Sequence, residues 1–212
     1  MQDNFTEQLL VKLRQGIAGL LSFDKIIYVG HSFGSALGNH VAKDSPSAVD
    51  AYVLTGYSST VALPINLTLD FFSAAIANPA RFSGIPLGYW AGQIEPVRAA
   101  TFYAGCFEPA IPHLDLLEHD TFAVGEGLSP GLEPRVKSFT GPVFVVTGDL
   151  DILFCPPRGA AACLDALEQT GHLFPLADFS VRMLESTGHT LGLHRSAPAM
   201  MAEVHDWLDV YF

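Results

Sequence analysis

Lys25-Ile26-Ile27-Tyr28-Val29-Gly30-His31-Ser32-Phe33-Gly34 is the stretch that decides the fold. Residues 25–30 are mostly apolar and rich in β-branched side chains. That pattern predicts a strand buried on both faces, as in a parallel sheet. Helical spacing begins at Phe33 and runs to about Lys43, with no linker beyond the turn itself. The turn reads G-x-S-x-G, a pattern that is weak alone and strong when a strand ends at its first glycine and a helix starts at its serine. Side chains at Gly30 and Gly34 are expected to clash in so tight a turn. The turn lifts the Ser32 hydroxyl above the sheet and sets it at a helix N-terminus, where the dipole favours negative charge. The competing reading is an ordinary strand–helix turn that contains a serine.

Upstream, Leu9, Leu10, Leu13, Ile17, Leu20 and Leu21 recur at helical spacing, predicting a helix over about 5–21. Asn4 followed by Glu7 reads as its capping box. Downstream, Asp44-Ser45-Pro46 closes the second helix and residues 49–55 read as another buried strand. Helix–strand–helix–strand is the grammar of a parallel α/β sheet. From Gly56 to about Gly141 that grammar stops. Pro64, Pro79, Pro86, Pro96, Pro109, Pro112, Pro130 and Pro134 cut the chain into short pieces. Helices are expected at 67–77 and 96–106, separated by aromatic, polar-poor sequence. Stretches this long are seldom plain loops, so 56–141 is read as a helical lid inserted into a core made of 1–55 and 142–212. A set of connections packed on the sheet edge is the alternative. The α/β grammar then resumes with a strand at 142–147, a helix at 157–170, a strand at 179–184 and a closing helix at 197–212. Met200, Met201, Val204, Trp207, Leu208 and Tyr211 are expected on one face of that last helix.

The chain has 212 residues, enough for one domain with a sizeable core. Hydrophobic residues are 49% and charged residues 16%, which excludes a disordered chain. The net charge of -11 argues against nucleic acid, whose phosphates need clustered Lys and Arg, and against anionic lipid surfaces. No apolar run reaches transmembrane length. Residues 1–4 show no signal-peptide pattern, so the default expectation is a cytoplasmic chain. Cys106, Cys155 and Cys163 form no C-x-x-C pair. Three buried thiols are expected, with a Cys155–Cys163 bridge left open. Asn66-Leu67-Thr68 is a sequon of a kind that often arises by chance.

A serine hydroxyl is a poor nucleophile until a base takes its proton. The base expected with such an elbow is a histidine held by a carboxylate, in the chain order Ser, Asp or Glu, His. Thr147-Gly148-Asp149-Leu150-Asp151 follows one predicted strand and Glu185-Ser186-Thr187-Gly188-His189 follows another. Both loops leave carboxyl ends of strands, the side of a parallel sheet where ligands bind. His194 is the second candidate base. His31 is expected to shape the oxyanion side or pack locally, His40 to pack in the core, and His172 and His205 to lie on the surface. His113, Asp115, Glu118, His119 and Asp120 read as a solvated polar loop, with a metal site as the competing reading.

With elbow, acid and histidine in this order, the chain resembles the α/β-hydrolase superfamily, in particular its lid-bearing esterase- and lipase-like members. The resemblance runs over essentially the whole chain and matches only the second half of the family's fold. It implies a truncated α/β-hydrolase fold: a parallel sheet, flanking helices and a helical lid. It also implies Ser32 as nucleophile, His189 as base and Asp151 as the orienting acid. Asp151 is favoured over Asp149 because the family acid falls three residues after the glycine that ends its strand. Gly30, His31 and Gly34 complete the elbow, and the Phe33 N–H is one oxyanion donor. The expected activity is cleavage of an ester or related acyl bond in a small, mostly apolar substrate, without cofactor or metal. The family takes its second oxyanion donor from a loop after an early strand, and no such loop or strand is legible before Lys25. That leaves residues 25–29 as an apolar edge strand open to self-association. Loss of a donor costs roughly a hundred- to a thousandfold in rate, so impaired activity is expected. The alternative is a retired hydrolase fold that serves as a ligand-binding or interaction module. Transfer to an acceptor other than water is a further alternative.

Overall fold

Residues 2–16, 21–127, 134–155 and 159–212 are described by a computed structural model. Helix α1 (Gln2–Gln15) leads to strand β1 (Ile27–His31), helix α2 (Phe33–Asp44) and strand β2 (Ala51–Thr55). An insertion follows: α3 (Ile65–Asp70), β3 (Phe71–Ser73), α4 (Ala74–Ala77), α5 (Pro79–Phe82), β4 (Tyr89–Gly92), α6 (Glu95–Phe102), α7 (Ile111–Glu118), β5 (Phe122–Ala123) and α8 (Val124–Gly127). The chain returns through β6 (Pro142–Gly148), α9 (Ala160–Gln169), β7 (Asp178–Leu184) and α10 (Ala197–Tyr211). The main sheet has the order β1-β2-β6-β7, and every pairing is parallel.

Side-chain alternation puts two cores on this sheet. Tyr52, Leu54, Val143 and Val145 face one core with Ala36, Val41 and Leu167 from the flanking helices. Val53, Phe144, Val146 and Leu184 face the other with Met200 and Val204 of α10. Strand β2 is buried along its whole length, because it lies between β1 and β6 and is covered on both faces. Burying each Val or Leu there contributes about 1.5–3 kcal/mol. The Asp50 carboxylate accepts from the Ile26 N–H at 2.8 Å and bonds Arg14, so α1 is tied to the start of the sheet.

Several expectations are corrected. Strand β1 is an edge of the sheet, as expected, but Val29 is 65% exposed, so that strand is not buried on both faces. Helix α1 already includes residues 2–4, so Asn4 does not cap it. Leu9 and Leu21 are exposed, while Leu10 is buried; Ile17 and Leu20 lie outside the described residues, as do Pro130 and Pro157. The helix expected at 67–77 is interrupted at Phe71–Ser73, which pairs antiparallel with β4. Strand β4 also pairs with β5, so the insertion contains a three-stranded antiparallel sheet as well as helices. Met201 faces solvent. Cys155 and Cys163 are bridged, and Cys106 is a free, exposed thiol. Among the described residues no helix is long and apolar enough to cross a membrane.

The two elbow glycines differ. A Cβ on Gly30 would lie 2.6 Å from the Gly34 carbonyl oxygen and 2.8 Å from the Ser35 nitrogen, backbone atoms that cannot yield. A Cβ on Gly34 would meet nothing within 4 Å, which corrects the expected clash there. Gly30→Ala is therefore expected to cost roughly 1–3 kcal/mol and about 2–12 °C of thermal midpoint. Gly34→Ala should melt within a degree or two of the wild type. Equal midpoints for the two variants in a thermal melt would contradict this account of the turn.

Candidate active site

Ser32 caps α2 with φ 54 and ψ -119, in the left-handed half of backbone space where a non-glycine residue is strained. Neighbouring bonds hold it there. The Ser32 N–H donates to the Thr55 carbonyl at 2.9 Å, and the Ser32 carbonyl accepts from Ser35 at 2.9 Å and Ala36 at 3.2 Å. The Tyr28 hydroxyl donates to the Gly34 carbonyl at 2.7 Å, fastening the first turn of α2 to β1. As the first residue of α2, Phe33 has no carbonyl one turn back to receive its N–H.

Asp151 follows β6 and is fully buried; His189 follows β7 and is 3% exposed. One Asp151 oxygen accepts the N–H groups of Leu153 at 2.9 Å and Phe154 at 3.2 Å. The other lies 2.8 Å from His189 Nδ1. His189 Nε2 lies 2.8 Å from Ser32 Oγ. The carboxylate only accepts, so Nδ1 carries the proton and Nε2 presents its lone pair to the serine hydroxyl. Three side chains from loops far apart in sequence thus form one continuous hydrogen-bonded chain. The parallel register of β1, β2, β6 and β7 brings these loops to one end of the sheet.

Aromatic rings enclose His189. Phe154 stacks on it at 5.6 Å between centroids, Phe102 from the insertion lies at 5.7 Å, and His31 at 4.9 Å. Thr55 Oγ1 donates to the Gly30 carbonyl, so it accepts from His31 Nδ1 at 3.0 Å. Crowding around the His31 ring desolvates it even though part of the side chain stays open to solvent. That desolvation, reinforced by His189 and opposed by Asp151, pushes the His31 pKa down to about 4. At neutral pH His31 adds no positive charge beside the neighbouring imidazole. Gly56, with φ +54, allows both rings their approach: a Cβ there would lie 2.6 Å from the His31 ring and 3.2 Å from that of His189.

The other candidates fall elsewhere. Asp149 accepts from the Thr187 N–H at 3.1 Å and does not bond His189. His194 is 4% exposed and bonds the backbone around His189, away from the serine. His40 is half-buried on α2, and His172 and His205 are exposed. The segment 113–120 is mostly helix α7, not a loop. His113 pairs with Glu95 at 2.9 Å, Asp115 with Arg98 at 2.7 Å, and His119 is buried against Phe82. No group of three or more metal-ligating side chains gathers among the described residues. Sequence reasoning places Phe102 only among the aromatic residues of the insertion and misses Phe154 and Thr55 as neighbours of the site. Phe154 alone had a local signal, three positions after the candidate acid.

No family model matches the chain. Over 102 residues, 45% of this chain, it is 30% identical to the serine protease Hip1 of Mycobacterium tuberculosis, and likewise to that of Mycobacterium bovis. The match spans 19% of the length of these relatives. A monoacylglycerol lipase from Paleococcus ferrophilus superposes with a TM-score of 0.55 at 15% identity, over 97% of this chain and 74% of that one. An aryl esterase described as putative, from Burkholderia cenocepacia, gives 0.64 at 12% identity, over 98% and 71%. A parallel sheet carrying a nucleophile-elbow turn is the architecture of α/β hydrolases of the esterase and lipase type. The chain has the α/β-hydrolase fold.

Proposed function

We propose that the chain is a serine hydrolase that cleaves an ester or related acyl bond. One observation carries this reading: the unbroken chain from Ser32 Oγ through His189 to Asp151, with both contacts at 2.8 Å. Ser32 Oγ attacks the acyl carbon while its proton passes to His189 Nε2. The Phe33 N–H donates to the oxyanion that forms. His189 then returns the proton to the leaving oxygen as the acyl bond breaks. Water repeats the two transfers in reverse to free the acid and restore Ser32. Asp151 orients His189 and stabilises its cationic form. Residues 56–141 act as a cap on a core of 1–55 and 142–212. Phe102 and Phe154 beside the base, with exposed Phe33 next to Ser32, favour an apolar acyl or alcohol group. The names of the structural neighbours, a lipase and an esterase, agree with an ester.

A second reading, binding without turnover, rests on β1 being a sheet edge. The loop beside that edge would carry the second oxyanion donor, and none is assigned among the described residues. A fluorophosphonate probe separates the two. It is expected to label the wild type and to leave Ser32→Ala unlabelled. Equal labelling of both chains rejects Ser32 as nucleophile. A wild type that takes no probe and hydrolyses no activated ester, yet binds small apolar ligands, favours the binding module.

A further inference from the structure

We infer that His194 is a positioning residue for His189, an assignment that rests on the acyl-transfer reading above. His194 grips the backbone on both sides of the base. Its Nδ1 donates to the carbonyl of Thr190, the residue after His189, at 2.9 Å. Its Nε2 lies 3.1 Å from the amide nitrogen of Gly188, the residue before. The same nitrogen is 3.0 Å from the Ala104 carbonyl oxygen and 3.5 Å from the Ala104 amide nitrogen. Unprotonated, Nε2 accepts from Gly188; protonated, it donates to Ala104. The first arrangement closes the loop on itself from Gly188 to Thr190, and the second ties it to Ala104 of the insertion.

The tie is part of a longer seam. Residues 102–107, which leave α6 of the insertion, run beside the His189 loop. Thr190 N–H donates to the Phe102 carbonyl at 3.1 Å, Cys106 N–H to Ser186 at 2.8 Å, and Arg195 N–H to Cys106 at 3.0 Å. Gly105 opposite Thr187 and Phe107 opposite His194 form antiparallel bridges. Glycines make the closeness feasible. A Cβ on Gly105 would lie 2.1 Å from the Ser186 carbonyl oxygen, and one on Gly188 would lie 2.7 Å from the Ala104 nitrogen. Tyr103 stacks on the His194 ring at 5.8 Å and Phe107 meets it edge-on at 5.7 Å, fixing its plane. The insertion therefore supplies a rigid wall for the base loop, and His194 rivets the two together.

A misplacement of about 1 Å at a catalytic group costs on the order of a hundredfold in rate. His194→Phe keeps the ring's shape and its aromatic contacts and removes both nitrogens. It is expected to slow fluorophosphonate labelling of Ser32 by about tenfold to a hundredfold. The downfield proton resonance of His189 Nδ1–H should broaden or vanish, and the pH profile of labelling should change. His194→Gln, which can reach Gly188 or Ala104 with its amide, should recover most of the rate. Leu10→Ala, at a buried position on α1 in the other core, controls for a simple loss of stability and should label at the wild-type rate. Labelling of His194→Phe within twofold of wild type, with an unchanged pH profile, overturns the proposal. A wild type that does not label refutes the acyl-transfer reading instead. Should the substituted chains not fold, the wild type still decides the geometry. Its His194 ring protons are expected to give cross-relaxation to the Gly188 amide proton, and the absence of that signal from an assigned spectrum overturns the proposal.

Discussion

His189→Ala is expected to lower the rate of Ser32 acylation by on the order of a millionfold, judged by what loss of the base costs in a serine protease with the same arrangement on an unrelated fold. The cause is local. Ser32 Oγ has its proton acceptor at 2.8 Å in His189 Nε2, and the other two imidazoles nearby cannot substitute. His31 Nδ1 is committed to Thr55, and its pKa of about 4 makes it a weak base. His194 bonds Gly188, Thr190 and Ala104 in place of Ser32. The fold should survive, because the Asp151 carboxylate keeps its two loop N–H donors. Stopped-flow acylation by a nitrophenyl ester, beside a thermal melt of the same sample, measures both. A variant that acylates within tenfold of wild type would remove His189 from the mechanism.

Asp151→Asn should lower the same rate by about ten-thousandfold while leaving the backbone in place. The one side-chain oxygen that remains can still accept from Leu153 and Phe154. The new amide then points N–H toward His189 Nδ1, where the carboxylate oxygen sat at 2.8 Å. The ring must present an unprotonated Nδ1 to that donor, which places the proton on Nε2. That tautomer cannot take the serine's proton. The check is acylation kinetics together with imidazole nitrogen shifts, which should show the proton moved from Nδ1 to Nε2. Asp149→Asn is the matched control. Its carboxylate serves the Thr187 N–H and should be nearly silent in the chemistry. If Asp149→Asn were the slower variant, the acid would be misassigned.

The parts of this site legible in sequence are those set by short-range geometry. The elbow is local: strand residues, a glycine at 30 whose missing Cβ admits the Gly34 carbonyl, and a helix starting at Phe33. The candidate acid and base follow from chain order in loops after two predicted strands, and the preference for Asp151 over Asp149 from the family resemblance. Long-range pairing was harder to read. Residues 67–77 carry helical spacing, yet Phe71–Ser73 is pulled into a strand because β4 lies alongside. The bridge between Cys155 and Cys163 depends on the Asp151 loop folding back on α9, which a spacing of eight residues does not specify. The enclosure of His189 by Phe102 is likewise invisible in sequence, since it depends on where the insertion returns to the core. His194 shows the same limit. Its spacing from His189 made it a rival base, and only the backbone path around it reveals a tether.

Ser32 as the acylated residue is the most direct test of the whole account. Intact-mass and peptide mass spectrometry after fluorophosphonate treatment of the wild-type chain would read it. One phosphonyl adduct on the peptide carrying Gly30-His31-Ser32-Phe33-Gly34, localised to Ser32 and absent from Ser32→Ala, is the predicted result. An adduct on another residue, or one that persists in Ser32→Ala, would contradict it.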